Sequence, residues 1–209
     1  MPRIVTISDT HSRHRKISTM PEGDILIHSG DATNRGGIDE IVDFNQWLGE
    51  LPFKHKIFVA GNHDWLFERS PEFAPTLMSN AHYLRDNFVV IEGLKIYGAP
   101  WQPRFFDWAF NLDRGAAIAE KWRLIPADID VLITHGPPYG ILDEVPYRHE
   151  HVGCEELLPV VKRIKPRAHI FGHIHAGYGM IEQHGIKFVN ASICNEAYQP
   201  VNAPIVFDL

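Results

Sequence analysis

Short apolar, β-branched runs recur along the chain and most end at a Gly, Asp or His. They occupy residues 4–7, 25–27, 56–60, 89–91, 94–97, 131–134, 169–171, 187–189 and 205–207. Runs such as Ile25-Leu26-Ile27 and Val131-Leu132-Ile133 are apolar at every position, which suits strands covered on both faces. Between them, apolar residues fall at helical spacing over 38–51, 115–124 and 155–164, the last followed by Pro166 as a stop signal. Residues 89–97, interrupted at Glu92-Gly93, predict a hairpin. Strands that alternate with helices, plus one hairpin, predict an α/β fold with function at the carboxyl ends of the strands. Residues 101–111 form an irregular, aromatic-rich stretch, and long loops of that kind are often functional.

No repeat, low-complexity tract or linker interrupts the pattern, so residues 1–209 are read as a single domain. A hydrophobic content of 44% and a charged content of 22% are ordinary for a globular protein. No apolar run reaches the roughly 18–20 residues that cross a bilayer. Met1-Pro2-Arg3 leads straight into a strand with no signal-peptide pattern. The expectation is a cytoplasmic protein without a membrane partner. The formal charge of −6 argues against a duplex nucleic-acid surface, because such surfaces rest on many Lys and Arg contacts. Cys154 and Cys194 lie far apart and are read as reduced thiols.

Chemistry enters at the strand ends. Asp9-Thr10-His11, Gly30-Asp31, Gly61-Asn62-His63-Asp64, His135-Gly136 and Gly172-His173-Ile174-His175 each follow an apolar run directly. Each combines a potential metal ligand with a strand-to-loop turn. Singly these are weak signals, and Gly30-Asp31 alone is a common turn. Together they point to a metal site. Two ions about 3.5–4 Å apart clamp both oxygens of a phosphoryl transfer, and such a pair needs a shared carboxylate, for which Asp31 is placed. Asn62 adds an oxygen ligand without charge. Two divalent ions, Asp9, Asp31 and one bridging hydroxide sum to a formal charge of about +1, suited to an anionic phosphoester. A mixed His/Asp/Asn set favours Mn, Fe or Zn over Ca.

The series Asp-x-His, Gly-Asp, Gly-Asn-His-Asp, lone His, Gly-His-x-His resembles the signature of the calcineurin-like metallophosphoesterases. Further segments are similar to the small, brain-type metallophosphoesterase-domain-containing phosphodiesterase family: 99–103, 108–112, Thr134-His135-Gly136-Pro137-Pro138, 171–175 and the tail from Asn190 to Pro204. The likeness runs from Ile7 to the C-terminus. It implies a four-layer α-β-β-α sandwich. It also implies a first ion held by Asp9, His11 and His175, a second held by Asn62, His135 and His173, and Asp31 bridging. His63 would protonate the leaving oxygen or stabilise phosphate charge, with Asp64 orienting it.

The expectation is therefore a metal-dependent phosphodiesterase acting on a small-molecule phosphoester, with a small or cyclic nucleotide as the substrate class. Its rivals are a phosphomonoesterase or nucleotide pyrophosphatase with the same metals, and a non-catalytic scaffold of the same fold. The scaffold is disfavoured because every ligand position and His63 are retained. The remaining histidines are read as structural or solvated, with His28 a candidate support for the ligands. Arg13-His14-Arg15-Lys16 is read as a solvated helix start, with phosphate attraction as the sharper alternative. Trp101, Phe105, Phe106, Trp108 and Phe110 are read mainly as packing, with one of them a candidate platform for a base.

Overall fold

Alternation along the strands decides the architecture of this chain, which is described over residues 1–209 by a computed structural model. Its first half runs β1 (Arg3–Ile7), β2 (Ile25–His28), α1 (Ile38–Glu50), β3 (His55–Phe58), α2 (Trp65–Arg69), β4 (His82–Tyr83), β5 (Asn87–Ile91) and β6 (Leu94–Ala99). There follow β7 (Gln102–Pro103), β8 (Asn111–Leu112), α3 (Ala116–Arg123), β9 (Val131–Thr134), β10 (Glu144–Val145) and β11 (Glu150–His151). The chain closes with α4 (Leu157–Ile164), β12 (Ala168–Phe171), β13 (Gly179–Gln183), β14 (Ile186–Asn190) and β15 (Ile205–Asp208).

Two sheets carry the fold, in the orders β15-β1-β2-β3-β4 and β13-β14-β12-β9-β6-β5. Strands β1 to β4 are mutually parallel, as are β6, β9, β12 and β14, while β15, β13 and β5 are antiparallel additions at the edges. Successive strand residues face opposite sides. Ile4, Ile25, Ile27 and Ile57 of one sheet meet Ile96, Val131, Ile133, Ile170 and Val189 of the other in a cluster of 17 buried residues. The alternate positions Val5, Leu26 and Phe58, and Tyr97, Leu132 and Phe171, belong to a second cluster of 33. That cluster takes in Ile41, Phe44 and Trp47 of α1, Ile118 and Trp122 of α3, and Leu157 and Val161 of α4. The result is the four-layer α-β-β-α sandwich.

All nine expected strands and all three expected helices are present, with boundaries moved by one to two residues. Helix α1 begins where the Glu40 carboxylate accepts the amide of Gly37 at 3.0 Å, the one half of a capping box that a glycine N-cap allows. Helix α4 ends with Lys165 in the left-handed region, directly before Pro166. Helix α2, strands β4 and β13, and the ribbons β7/β8 and β10/β11 were not expected. Most are too short to show a period, and β13 is a mostly exposed edge strand.

The parallel strands also bury polar groups. His28 closes β2 with its Nε2–H directed at Thr10 Oγ1 (2.9 Å) and its Nδ1 accepting the amide of Gly30 (3.3 Å). His169 in β12 directs its Nε2–H at Thr134 Oγ1 (2.8 Å). Burial pushes each imidazole down to about 3, so both are neutral in the folded protein. A histidine whose folded value is depressed stabilises fully above its unfolded value of about 6.5, and that stabilisation is lost as pH falls towards 3. Each is expected to remove on the order of 1.4 kcal/mol of stability per pH unit between about 6 and 4. Urea midpoints of wild type and His169→Gln, followed from pH 7 to 4, check this. The variant should start less stable at neutral pH and lose stability less steeply on acidification; parallel curves would show that His169 does not titrate with folding.

Candidate metal centre

The carboxyl ends of the two parallel sets meet at one edge of the sandwich. Ser8, just beyond β1, forms a parallel bridge to Ser192, just beyond β14, and Ile193 donates to the Ser8 carbonyl at 2.9 Å. Gly172 donates to the carbonyl of His135 at 2.9 Å. Asp9 donates to the Gly30 carbonyl at 2.9 Å and Val59 to that of His28 at 3.0 Å, so the loops after β1, β2, β3, β9 and β12 are brought together. Asp9 (φ 51°), His11 (φ 43°), Asp31 (φ 56°) and His173 (φ 68°) all adopt left-handed backbone conformations that ordinary side chains rarely take. Each such residue costs on the order of 1–3 kcal/mol and persists only where its surroundings enforce it. Two glycines provide the room: a Cβ at Gly172 would collide with the Asp9 carboxylate, and one at Gly61 with that of Asp31.

Three sets of potential ligand atoms result, each within 4.8 Å of one another: Asp9, His11 and His175; His11, Asp31 and His63; and Asp31, His135 and His173. Asp31 Oδ2 lies 3.4 Å from His135 Nε2, 3.9 Å from His11 Nε2 and 4.0 Å from His63 Nε2. Asn62 Oδ1 lies 2.9 Å from His135 Nε2, so the neutral amide joins the third set. All eight residues singled out in the sequence therefore converge on one cleft.

Second partners fix the rings. His135 Nδ1–H donates to the Ser29 carbonyl (3.0 Å) and His175 Nδ1–H to that of Asn195 (2.9 Å), which leaves both Nε2 lone pairs facing inward. Those lone pairs meet other acceptors. His175 Nε2 faces His11 Nε2 at 3.3 Å and Asp9 Oδ1 at 3.4 Å, and His135 Nε2 faces Asn62 and Asp31 as above. Acceptors gathered in this way repel one another unless a cation lies between them. A separation of roughly 3.3 Å is also the edge of a tetrahedron with bonds of about 2.0–2.1 Å. The residues fit a metal.

Without a metal, a proton on His135 takes the place of that cation. Burial pulls His135 down, yet the Asp31 carboxylate outweighs it and holds the imidazole up at about 9. Burial likewise opposes His175, and its hydrogen bond and charge contact with Asp9 raise it. Burial would lift Asp31 and Asp9, but the histidines around them hold both well below the usual carboxylate range. The site thus keeps two buried negative charges that call for positive partners.

Several supports were not legible in the sequence. His63 Nδ1–H donates to the Asn34 carbonyl at 2.7 Å, and its ring stacks on Trp108 with centroids 4.1 Å apart. Asp64, expected to orient His63, accepts instead from the amides of Ala32 (3.3 Å), Thr33 (3.0 Å) and Gly61 (2.8 Å), tying the loops after β2 and β3 together. Ser192 Oγ lies 2.9 Å from Asp9 Oδ2. His28 supports the first two motifs through Thr10 and Gly30, as its bonds above show. Two members of the basic run at 13–16 are engaged elsewhere: Arg15 pairs with Asp43 (2.9 Å) and Glu50 (2.8 Å), and His14 is buried against Asp43 (3.0 Å). Trp101 is a packing residue, its Nε1–H donating to Asp86 at 2.7 Å. Phe105, Trp108, Tyr147 and Tyr198 rim the cleft instead. No local periodicity marked them.

Sandwich and site together define a metal-dependent phosphoester hydrolase. Residues 2–177 match the calcineurin-like phosphoesterase family, and the chain belongs to it. It is 48% identical, over 99% of its length and 71% of theirs, to metallophosphoesterase domain-containing protein 1 of Homo sapiens and of Mus musculus. It is 42% identical to UPF0046 protein C25E10.12 of Caenorhabditis elegans over 99% of this chain and 80% of that protein. A solved crystal structure at 20% identity superposes with a TM-score of 0.71, covering 91% of this chain and 90% of that one, which shows the shared fold.

A site of this kind is stabilised by its metal. Mn²⁺ at about a hundred-fold excess over its dissociation constant should add roughly 2.7 kcal/mol to the metal-free protein. Asp31→Asn removes the carboxylate common to two of the ligand sets, and should lose most of both the metal content and the thermal shift. Full metal content in that variant, measured by elemental analysis after dialysis, would remove Asp31 from the ligand set.

Proposed function

We propose that this protein is a phosphodiesterase that uses two divalent metal ions to hydrolyse small phosphoesters, with small or cyclic nucleotides as the substrate class. The observation that carries this reading is the position of Asp31 Oδ2 between His11 and His135, 3.9 and 3.4 Å from their Nε2 atoms. One carboxylate oxygen there serves two ligand sets at once. Asp9, His11 and His175 would hold one ion, Asn62, His135 and His173 the other, with Asp31 shared. Bound ions of this class supply Lewis-acid polarisation of the phosphoryl oxygens and a nucleophilic water at neutral pH.

The chain's own residues provide the rest. The cleft of about 280 Å³ is open to solvent along a rim of Phe105, Trp108, Tyr147 and Tyr198, which suits a small ester with a planar group. His63 stands between that rim and Asp31. Its Nδ1–H is committed to Asn34, so Nε2 is the atom that faces the cleft and can hold a proton for the departing oxygen. Stacking on Trp108 fixes the plane of the ring. His63 belongs to one of the ligand sets, with its Nε2 4.0 Å from Asp31 Oδ2, but its ring lies on Trp108 at the rim of the cleft. We assign it to proton transfer rather than to metal.

Rates on bis(4-nitrophenyl) phosphate and 4-nitrophenyl phosphate, measured side by side with Mn²⁺, test the diester assignment. The diester should be the faster by about ten-fold or more, and the reverse order would make the protein a monoesterase. A general acid contributes typically about 10²–10⁴-fold, and matters most when the leaving group is poor. His63→Ala should therefore keep its metal and lose far more rate on alkyl or nucleoside diesters than on nitrophenyl ones. Equal losses on both would reassign His63 to stabilising charge on the phosphate.

A further inference from the structure

A second concavity opens beside the metal cleft. It has a volume of about 480 Å³ and lies between the loop after β7 and the ribbon β10/β11. Phe105, Val145, Tyr147, His173 and Ile174 line both spaces, so the two adjoin along these residues. Arg104, Arg114 and Arg148 are among the residues lining this groove, and none of its lining residues is acidic. In a chain of formal charge −6, that concentration of guanidinium groups stands out.

The three arginines differ in how far they are engaged. Arg104 Nε donates to Asp113 at 2.6 Å. Arg114 is held in place by two backbone carbonyls, donating to Gly153 and Val152 at 2.9 Å each, with Glu155 3.9 Å away. Carbonyls fix a guanidinium without neutralising it. Arg148 forms no ion pair: its guanidinium lies 5.5 Å from the Tyr147 ring centroid, and the nearby Glu144 is taken by His149 at 3.4 Å.

The aromatic wall is held just as deliberately. Phe105 is 51% exposed, Phe106 75% and Tyr147 72%, values that no packing role requires. Phe106 sits at φ 49°. Its carbonyl accepts from Asn111 Nδ2 at 2.8 Å, while the Phe105 amide donates to Asn111 Oδ1 at 3.2 Å, so one side chain braces the strained turn. The two phenyl rings pack edge to face with centroids 4.6 Å apart, and Phe105 reaches within 6.1 Å of the His173 ring. Strain that presents apolar rings to solvent is accounted for when those rings meet a ligand.

We propose that this groove is a subsite for the organic half of the substrate, and that this half carries a second anionic group. The planar part of the group esterified to the reacting phosphate lies against Phe105 and Tyr147. Its further phosphate or carboxylate reaches Arg148, the one guanidinium of the three free to turn towards it, with Arg114 behind. The substrate class narrows to diesters bearing a second negative charge, as in an oligonucleotide end or a nucleoside bisphosphate ester. This inference rests on the phosphodiesterase reading given above.

Thymidine 5′-(4-nitrophenyl phosphate), with and without a 3′-phosphate, isolates the effect, because both substrates release the same nitrophenolate. The 3′-phosphate should lower KM by about ten-fold, the lower end for one charged hydrogen bond, and leave kcat nearly unchanged. Arg148→Ala and Arg148→Glu should erase that advantage while hydrolysing bis(4-nitrophenyl) phosphate as wild type does. Calorimetric binding of thymidine 3′,5′-bisphosphate against thymidine 5′-monophosphate should show the same preference in the Mn²⁺-loaded protein, independently of turnover. Equal KM and equal affinity with and without the 3′-phosphate overturn the subsite, as does a preference that survives in Arg148→Glu. Failure to hydrolyse any of the three diesters would instead sink the phosphodiesterase reading, and the binding comparison then still decides whether the groove takes a second anion.

Discussion

Two carboxylates that water does not reach set the terms for everything around them. Asp9 is fully buried and Asp31 nearly so, and burial alone would drive both towards the neutral acid. They stay ionised because imidazoles crowd them and backbone amides are aimed at them. His173 donates its amide to the Asp9 carboxylate at 3.0 Å, and His63 donates its amide to Asp31 Oδ1 at 2.7 Å. The same amides belong to residues whose own rings enter the cleft, so the loop that carries a ligand also solvates the charge. Left-handed backbone at four of these positions is the geometric cost of turning amide and side chain inward together.

That cost is borne by the sandwich. Inter-sheet packing of isoleucine and valine side chains holds two parallel sets with their carboxyl ends on the same edge, and the Ser8–Ser192 bridge joins them there. One sheet supplies Asp9, His11, Asp31, Asn62 and His63 from the ends of β1, β2 and β3. The other supplies His135, His173 and His175 from the ends of β9 and β12. The set of His11, Asp31 and His63 comes from the first sheet alone, whereas the sets completed by His175 or by His135 and His173 need both sheets. Asp64 and His28 then tie adjacent loops to one another, one as a carboxylate accepting amides and the other as a neutral imidazole.

Around this inner set the cleft is built from different material. Phe105, Trp108, Tyr147 and Tyr198 come from loops and a short ribbon, and the arginines of the adjoining groove come from those segments and from the approach to α3. The candidate ligands sit at strand ends, anchored by the sheets. The rim sits on segments whose rings are half exposed, where a change alters what is bound without disturbing what reacts.

How much of this was legible in the chain itself follows from which forces are local. Near-continuous apolar runs marked nine strands, because the central ones are buried on both faces, and helical spacing marked three helices, because burial of one face leaves its trace in every third to fourth residue. The motifs at the strand ends named all seven candidate ligands and His63, because a left-handed turn beside a close neighbour demands glycine and a small menu of side chains. Short elements such as α2 and the two ribbons left no trace, since two to five residues do not make a period. Asp64 was misread because a carboxylate one residue from a histidine looks like its partner, whereas the turn at Gly61 aims it at the neighbouring loop. Trp101 and Trp108 stand in the same irregular stretch, and only packing decides that the first is sealed against Asp86 and the second lies on His63. The identity of the chemistry was thus written in residue types and their order. The partners of each ring, and the arginine-lined groove beside them, depend on contacts between residues far apart along the chain, which exist only once the two sheets have closed on each other.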